Sequence, residues 1–274
     1  MAYKLIASDL DGTLLTNAKT LSPRTEAALK AATEMGVYFV PATGRSLIGV
    51  PEWIKESPYV RYIMTANGAR VMDMQEQKAL FVEALDRKIA LDLMEVLLPY
   101  GAMWNLYANA TVYSEYHGPL AEKDPPPDLK GNPNLPAPLQ PDMRSYVLAH
   151  PELEIEKMDI YFDLVEERAK VWEIVEKWEG INLGAAFSFN MEINSPVGDK
   201  GHSLHRLGRE LGIDPSEIIA FGDGLNDLKL LEAAGMPVAV SNAVPELKAI
   251  AKEITLSNEE DGVAIAIEKF ILNA

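Results

Sequence analysis

The chain has 274 residues, 48% of them hydrophobic, with 41 acidic against 25 basic side chains and no cysteine. A formal net charge of −16 excludes the generally basic surface that nucleic acids and anionic membranes require. The absent cysteines exclude disulfides, thiolate zinc sites and cysteine nucleophiles. No apolar run approaches the roughly 20 residues that span a bilayer, and the start MAYKLIASDLDG lacks the apolar stretch of a secretory signal. The expectation is a soluble cytoplasmic protein with enough length for one large domain or two modest ones.

In chain order, residues 3–8 predict a strand. Ser22-Pro23 offers a capping hydroxyl and an N1 proline for a helix running to about residue 34, closed by Gly36. Strands follow at 37–40, 60–65 and, beyond Asn67-Gly68, 69–74. Residues 86–98 predict a helix and 104–107 and 111–115 strands, before a proline-rich stretch at 124–142 too broken for regular structure. Strands at 155–163, 183–187 and 189–194 enclose a helix at 165–178. The last part alternates again: helix 200–211 ended by Gly212, strand 217–221, helix 227–234, strand 238–240, then helices 244–252 and 262–272. Alternating strands and helices predict an α/β fold built on a parallel sheet. The different pattern in the middle predicts a core of residues 1–82 and 195–274 carrying an inserted α+β domain at 83–194.

Five stretches place polar residues just after a strand or at a helix start, where open α/β sheets bind ligands. SDLDGTLLT carries Asp9 and Asp11. In extended backbone, residues i and i+2 face the same way, so the two carboxylates converge if the strand persists to Asp11. Close carboxylates repel and call for a proton or a cation between them. FVPATGRS supplies Thr43, Gly44 and Arg45, and IMTANGAR supplies Asn67. PVGDKGHS puts Lys200 at a helix start, against the macrodipole, and FGDGLND supplies Asp223, Asn226 and Asp227. Each has a plainer counterpart: Asp-Gly turns, a solvated lysine, and Asn-Gly as a hairpin turn. Together, hard oxygen ligands suited to Mg2+, a cation, donors and an acid nucleophile make a phosphoryl-transfer set.

DLDGT at 9–13, ATGR at 42–45, GDKG at 198–201 and GDGLND at 222–227 resemble, in order, the four motifs of haloacid dehalogenase superfamily phosphatases. The insert and the closing SNEEDGVA at 257–264 look like the Cof-type branch with a type IIB α/β cap. The resemblance implies a Rossmann-like core and a cap that selects small phosphate-ester substrates, with no nucleic-acid or membrane partner. It implies Asp9 as nucleophile and Asp11 as acid and base, with Thr43 and Lys200 holding the transferring group. Mg2+ would be held by Asp9, Asp223 and the carbonyl of Asp11. Asn226 and Asp227 would orient its waters and the lysine, and Gly44, Arg45 and Asn67 would lie near the phosphate. A phosphotransferase or mutase on the same scaffold is the second reading and a non-catalytic binding protein the third. A metal pair at His202 and His205 lacks further ligands, and His117 and the tryptophans read as surface and core residues.

Overall fold

The computed structural model describes residues 3–100, 102–116, 142–185 and 188–273. The chain divides into two compact units, Met1–Gly44 with Glu52–Phe81 and Asp199–Ala274, and Arg45–Pro51 with Val82–Gly198. In the first unit β1 (Leu5–Ser8) is buried throughout, as a strand covered on both faces must be. Helix α1 (Pro23–Glu34) starts where Ser22 accepts from the Thr25 N–H and proline occupies the first position. Then come β2 (Tyr38–Pro41), the short α2 (Glu52–Lys55), β3 (Tyr62–Thr65), β4 (Arg70–Asp73) and β5 (Lys78–Val82). The last three form their own sheet, and β4 runs antiparallel to β3 with Thr65 opposite Arg70. Strand β3 still lies parallel to the end of β2, through bridges at Phe39–Val60 and Ala42–Met64, but the parallel run expected from the sequence does not extend to β4. Four residues join β3 to β4, and a parallel crossover needs a dozen or more.

The second unit contributes α3 (Arg87–Leu97), β6 (Ala102–Ala108), β7 (Thr111–Tyr116), α4 (Met143–Ala149), β8 (Ile155–Phe162), α5 (Val165–Val175), β9 (Asn182–Gly184) and β10 (Asn190–Asn194). Its strands pair antiparallel in the order β7-β6-β8-β10-β9. Strand alternation sends Trp104, Leu106, Met158, Ile160, Met191 and Ile193 into one core with Leu93 and Leu97 of α3 and Val171 and Val175 of α5. Helix α4, which the sequence reading passed over, is capped by Asp142, whose side chain accepts from the Ser145 N–H. His117, residues 124–141 of the proline-rich stretch and the end of the predicted strand 183–187 lie outside the described residues.

The chain then completes the first unit with α6 (Lys200–Leu211), β11 (Ile218–Gly222), α7 (Leu228–Glu232), β12 (Met236–Ala239), α8 (Pro245–Ile250), β13 (Glu253–Ile254) and α9 (Gly262–Ile267). The main sheet is parallel, ordered β13-β12-β11-β1-β2, with Leu5 level with both Ile218 and Tyr38. Strand β1 thus has β2 on one side and β11 on the other, and their carboxyl ends deliver Asp9, Thr43 and Asp223 to one edge of the sheet. The predicted helix 227–234 is split, a 3-10 turn at Leu225–Asp227 preceding α7. Among the described residues no helix is long and apolar enough to cross a membrane.

The sheet face of the second unit opposite its apolar core carries ionisable groups. The buried Lys157 ammonium lies 3.8 Å from Asp159, 3.6 Å from Glu192 and 4.4 Å from the Tyr107 ring centroid. Burial pushes the Asp159 carboxyl up to about 6, with Lys157 opposing and Glu192 adding to the rise. A raised carboxyl pKa gives stability that is full below the unfolded value and lost as pH climbs through about 6. Asp159→Asn is therefore expected to flatten the stability profile between about pH 4 and 6. Urea titrations across that range test it, and an unchanged slope would remove Asp159 as its source.

Candidate active site

Asp9 is the first residue beyond β1, and its N–H continues the ladder by donating to the Phe221 carbonyl at 3.1 Å. Its carboxylate is nearly covered, 6% exposed. Lys200 is fully buried, and its Nζ donates to Asp9 Oδ1 and to Asp227 Oδ1, both at 2.6 Å. The lysine reaches that point because Asp199 caps α6, accepting from the His202 N–H, and because Gly201 lets α6 lie against α7. A β-carbon on Gly201 would collide with the Lys229 carbonyl oxygen. The unfavourable macrodipole at this helix start is outweighed by two carboxylates in contact with the ammonium.

Asp227 faces two ways. Its Oδ1 accepts from Lys200, and its Oδ2 accepts from the N–H groups of Asp223 and Gly224, each at 3.0 Å. Asp223 accepts from the Thr13 hydroxyl at 2.7 Å. Gly12 sits at φ 83°, and a β-carbon there would lie 2.5 Å from Asp223 Oδ2. No other residue meets both constraints. Asn242 closes this side by donating to the Gly12 carbonyl at 2.8 Å.

Asp11 departs from the expectation. Extended backbone ends at Ser8, and the chain then coils, with the N–H groups of Leu14 and Leu15 both donating to the Leu10 carbonyl. The alternation that would aim Asp11 beside Asp9 is therefore lost. The Asp11 carboxylate instead pairs with Lys19 Nζ at 2.7 Å. The acids whose oxygens lie within 4.8 Å of one another are Asp9, Asp223 and Asp227.

Thr43 and Asn67 are joined through the backbone: the Thr43 N–H donates to Met64, and its carbonyl accepts from the Asn67 N–H. Asn67 adopts φ 59° in the β3–β4 turn, so the hairpin reading of Asn67-Gly68 holds while its side chain still faces Asn226 Nδ2 at 3.4 Å. Gly44 packs against the same side chain, where a β-carbon would stand 2.8 Å from Asn67 Oδ1. Arg45 belongs to the second unit, its guanidinium donating to the Gly49 carbonyl at 2.9 Å. His205 Nε2 lies 3.1 Å from the Ala233 carbonyl oxygen, and among the described residues no group of three or more metal-binding side chains includes it. Thr13 and Asn242 were not singled out in the sequence, although Thr13 stands inside DLDGT.

Burial pushes the Asp9 carboxyl well up, with Lys200 opposing and Asp227 and Asp223 adding to the rise. Burial likewise raises Asp223, against the Thr13 hydrogen bond. For Lys200 burial disfavours the charge, yet Asp227 and Asp9 more than offset it and raise its pKa. Three carboxylates against one ammonium leave an excess of negative charge that a cation relieves. The donors are all hard oxygens, and the set fits a divalent cation such as Mg2+. Since Asp227 already accepts three hydrogen bonds, Asp9 and Asp223 are the better placed carboxylates. Saturating Mg2+ is expected to raise the melting temperature by a few degrees. Asp223→Asn should lose most of that shift, and an undiminished shift would exclude Asp223 from the ligand set.

A family profile described as haloacid dehalogenase-like hydrolase matches residues 6–267. Phosphatase YwpJ of Bacillus subtilis is 31% identical over 279 residues, covering 95% of this chain and 97% of that protein. The 5-amino-6-(5-phospho-D-ribitylamino)uracil phosphatase YcsE of the same species is 28% identical over 282 residues, 98% of this chain and 96% of that one. A solved haloacid dehalogenase-like hydrolase from B. subtilis superposes with a TM-score of 0.85 at 29% identity, over 98% of this chain and 100% of the other. On this sequence match and this fold, an α/β core with a separate antiparallel unit, the chain belongs to the haloacid dehalogenase-like hydrolase family.

Proposed function

We propose that the protein is a Mg2+-dependent phosphatase of small phosphorylated metabolites, sugar phosphates foremost, working through an aspartyl-phosphate on Asp9. The observation that carries this reading is the buried Lys200 held at 2.6 Å from both Asp9 and Asp227. A surface nucleophile needs no such partner. An anionic carboxylate approaching a phosphate dianion does, because the two repel. The named phosphatase activity of the relatives supports it.

In the first step an Asp9 carboxylate oxygen attacks phosphorus in line, forming a new P–O bond as the ester P–O bond breaks. The Asp11 carboxyl gives its proton to the departing alkoxide oxygen, so an alcohol leaves and Asp11 becomes a carboxylate. In the second step water attacks phosphorus and passes a proton to Asp11, and the bond to Asp9 breaks to release inorganic phosphate. Lys200 lowers the charge on Asp9, and Asp227 fixes the ammonium. The Thr43 hydroxyl, the Gly44 backbone, Asn67 and Asn226 hold the non-bridging oxygens, with Arg45 assigned to the substrate. Asp9, Asp223 and the Asp11 carbonyl would hold the Mg2+, which when bound would supply positive charge to the phosphoryl group. To the inserted residues 83–194 we assign choice of leaving group.

A phosphate-release screen over sugar phosphates, nucleotides, FMN and pyridoxal phosphate tests the reading. Asp9→Asn is expected to lower kcat on the best substrate by on the order of a thousandfold or more, with the circular dichroism spectrum unchanged. EDTA should abolish turnover and Mg2+ restore it. A variant that keeps a tenth of the wild-type rate rules out Asp9 as nucleophile.

A further inference from the structure

Each carboxylate of the site has two oxygens, and hydrogen bonds leave them unequally open. Asp227 is engaged at both, Oδ1 by the Lys200 ammonium and Oδ2 by the N–H groups of Asp223 and Gly224. Asp9 gives Oδ1 to Lys200 at 2.6 Å. Asp223 gives Oδ1 to the Thr13 hydroxyl at 2.7 Å. Among the described residues no donor reaches Oδ2 of Asp9 or Oδ2 of Asp223. The two acids best placed for a cation therefore offer it one oxygen each.

The Thr13 bond lies between two fixed stretches of backbone. Thr13 is 1% exposed, and the carbonyl of Gly12 before it accepts from Asn242 at 2.8 Å. On the other side the Asp223 N–H donates to Asp227, and the Asp223 carbonyl accepts from the Val244 N–H at 2.9 Å. Residues 242 and 244 thus grip both loops, and the hydroxyl is set against Oδ1 from each side.

Cations differ in what they ask of a carboxylate. Mg2+ takes a near-octahedral shell of short bonds, and the two oxygens of one carboxylate stand too close together to fill neighbouring corners of it. Ca2+ is larger, takes roughly six to eight oxygens in looser geometry and readily accepts both oxygens of one group. A donor on Oδ1 removes nothing that Mg2+ would use and denies Ca2+ its second oxygen. Hydrogen bonds to a ligating carboxylate commonly orient it in this way. We infer that Thr13 is a positioning residue that sets the cation specificity of the site, holding Asp223 to a single ligand oxygen and so favouring Mg2+ over Ca2+. The inference rests on the reading of Asp9 and Asp223 as Mg2+ ligands. Lys200 restrains Asp9 in the same manner, but its removal would also take away the charge that faces the phosphoryl group. Thr13 can be changed with every charge left in place.

Isothermal titration of the full chain with MgCl2 and with CaCl2 tests this, with Asp223→Asn as the background for binding elsewhere on an acidic protein. Thr13→Val keeps the shape of the side chain and removes the donor. We expect it to lower the Kd for Ca2+ about tenfold while the Kd for Mg2+ stays within about threefold. Thr13→Ala removes the donor without placing a methyl group against Oδ1, and should match valine in the ratio of the two constants. Thr13→Ser returns the hydroxyl and should return the wild-type preference. A side chain that only packed the loop would weaken both cations alike. An unchanged ratio, or one that serine fails to restore, therefore overturns the role of Thr13 and leaves the Mg2+ reading intact. A wild-type protein without Asp223-dependent Mg2+ binding overturns both.

Discussion

An ammonium group without water must be met by negative charge, and in this protein that requirement organises the site. Lys200 is fully buried, and its charge is balanced by Asp9 at the end of β1 and Asp227 after β11. Removing water strengthens both contacts and makes each costly to lose. The three residues come from segments up to 218 positions apart, from Asp9 to Asp227, so the cluster forms only when β1, β11 and α6 have assembled. With Asp223 beside them, three carboxylates face one ammonium and two negative charges stay unmatched, and from that surplus follows the attraction for a cation.

Around this centre, polar side chains hold the loops by their backbone groups. Asp227 accepts from two N–H groups of the loop that carries Asp223. Asn242 holds the carbonyl of Gly12, and Asn258 holds that of Leu15. Loops carrying reactive groups gain accuracy when such bonds fix the backbone before a ligand arrives. The C-terminal segments thus have a share in the geometry of the loop after β1, through bonds that span more than 200 residues of sequence.

Local chemistry made much of the fold legible. Ser22-Pro23 marked the start of α1, and the helical pattern ended by Gly212 marked α6 with its observed limits. Strand β5 and the two-residue β13 escaped notice, because short edge strands gain their identity from a neighbour and not from periodicity. Helix α4 follows a proline-rich stretch and depends on the Asp142 cap, a signal too brief to stand out. The turn at Asn67-Gly68 was readable as a hairpin from its dipeptide alone, while the approach of Asn226 to Asn67 was not.

What the sequence by itself determined was chemistry in local frames: which acids follow apolar strands, where helices begin, and that four motifs stand in the order of a known family. Those features depend on neighbours a few residues away, and backbone sterics, capping and alternation act at that range. Only the tertiary structure decided which acids share a charge. Two aspartates one residue apart in sequence face different partners, Asp9 towards Lys200 and Asp11 towards Lys19, because the strand stops before the second of them. Coulombic contact depends on distance in space, and that distance is set by the sheet order and the coil after Asp9, neither of which alternation in DLDGT records.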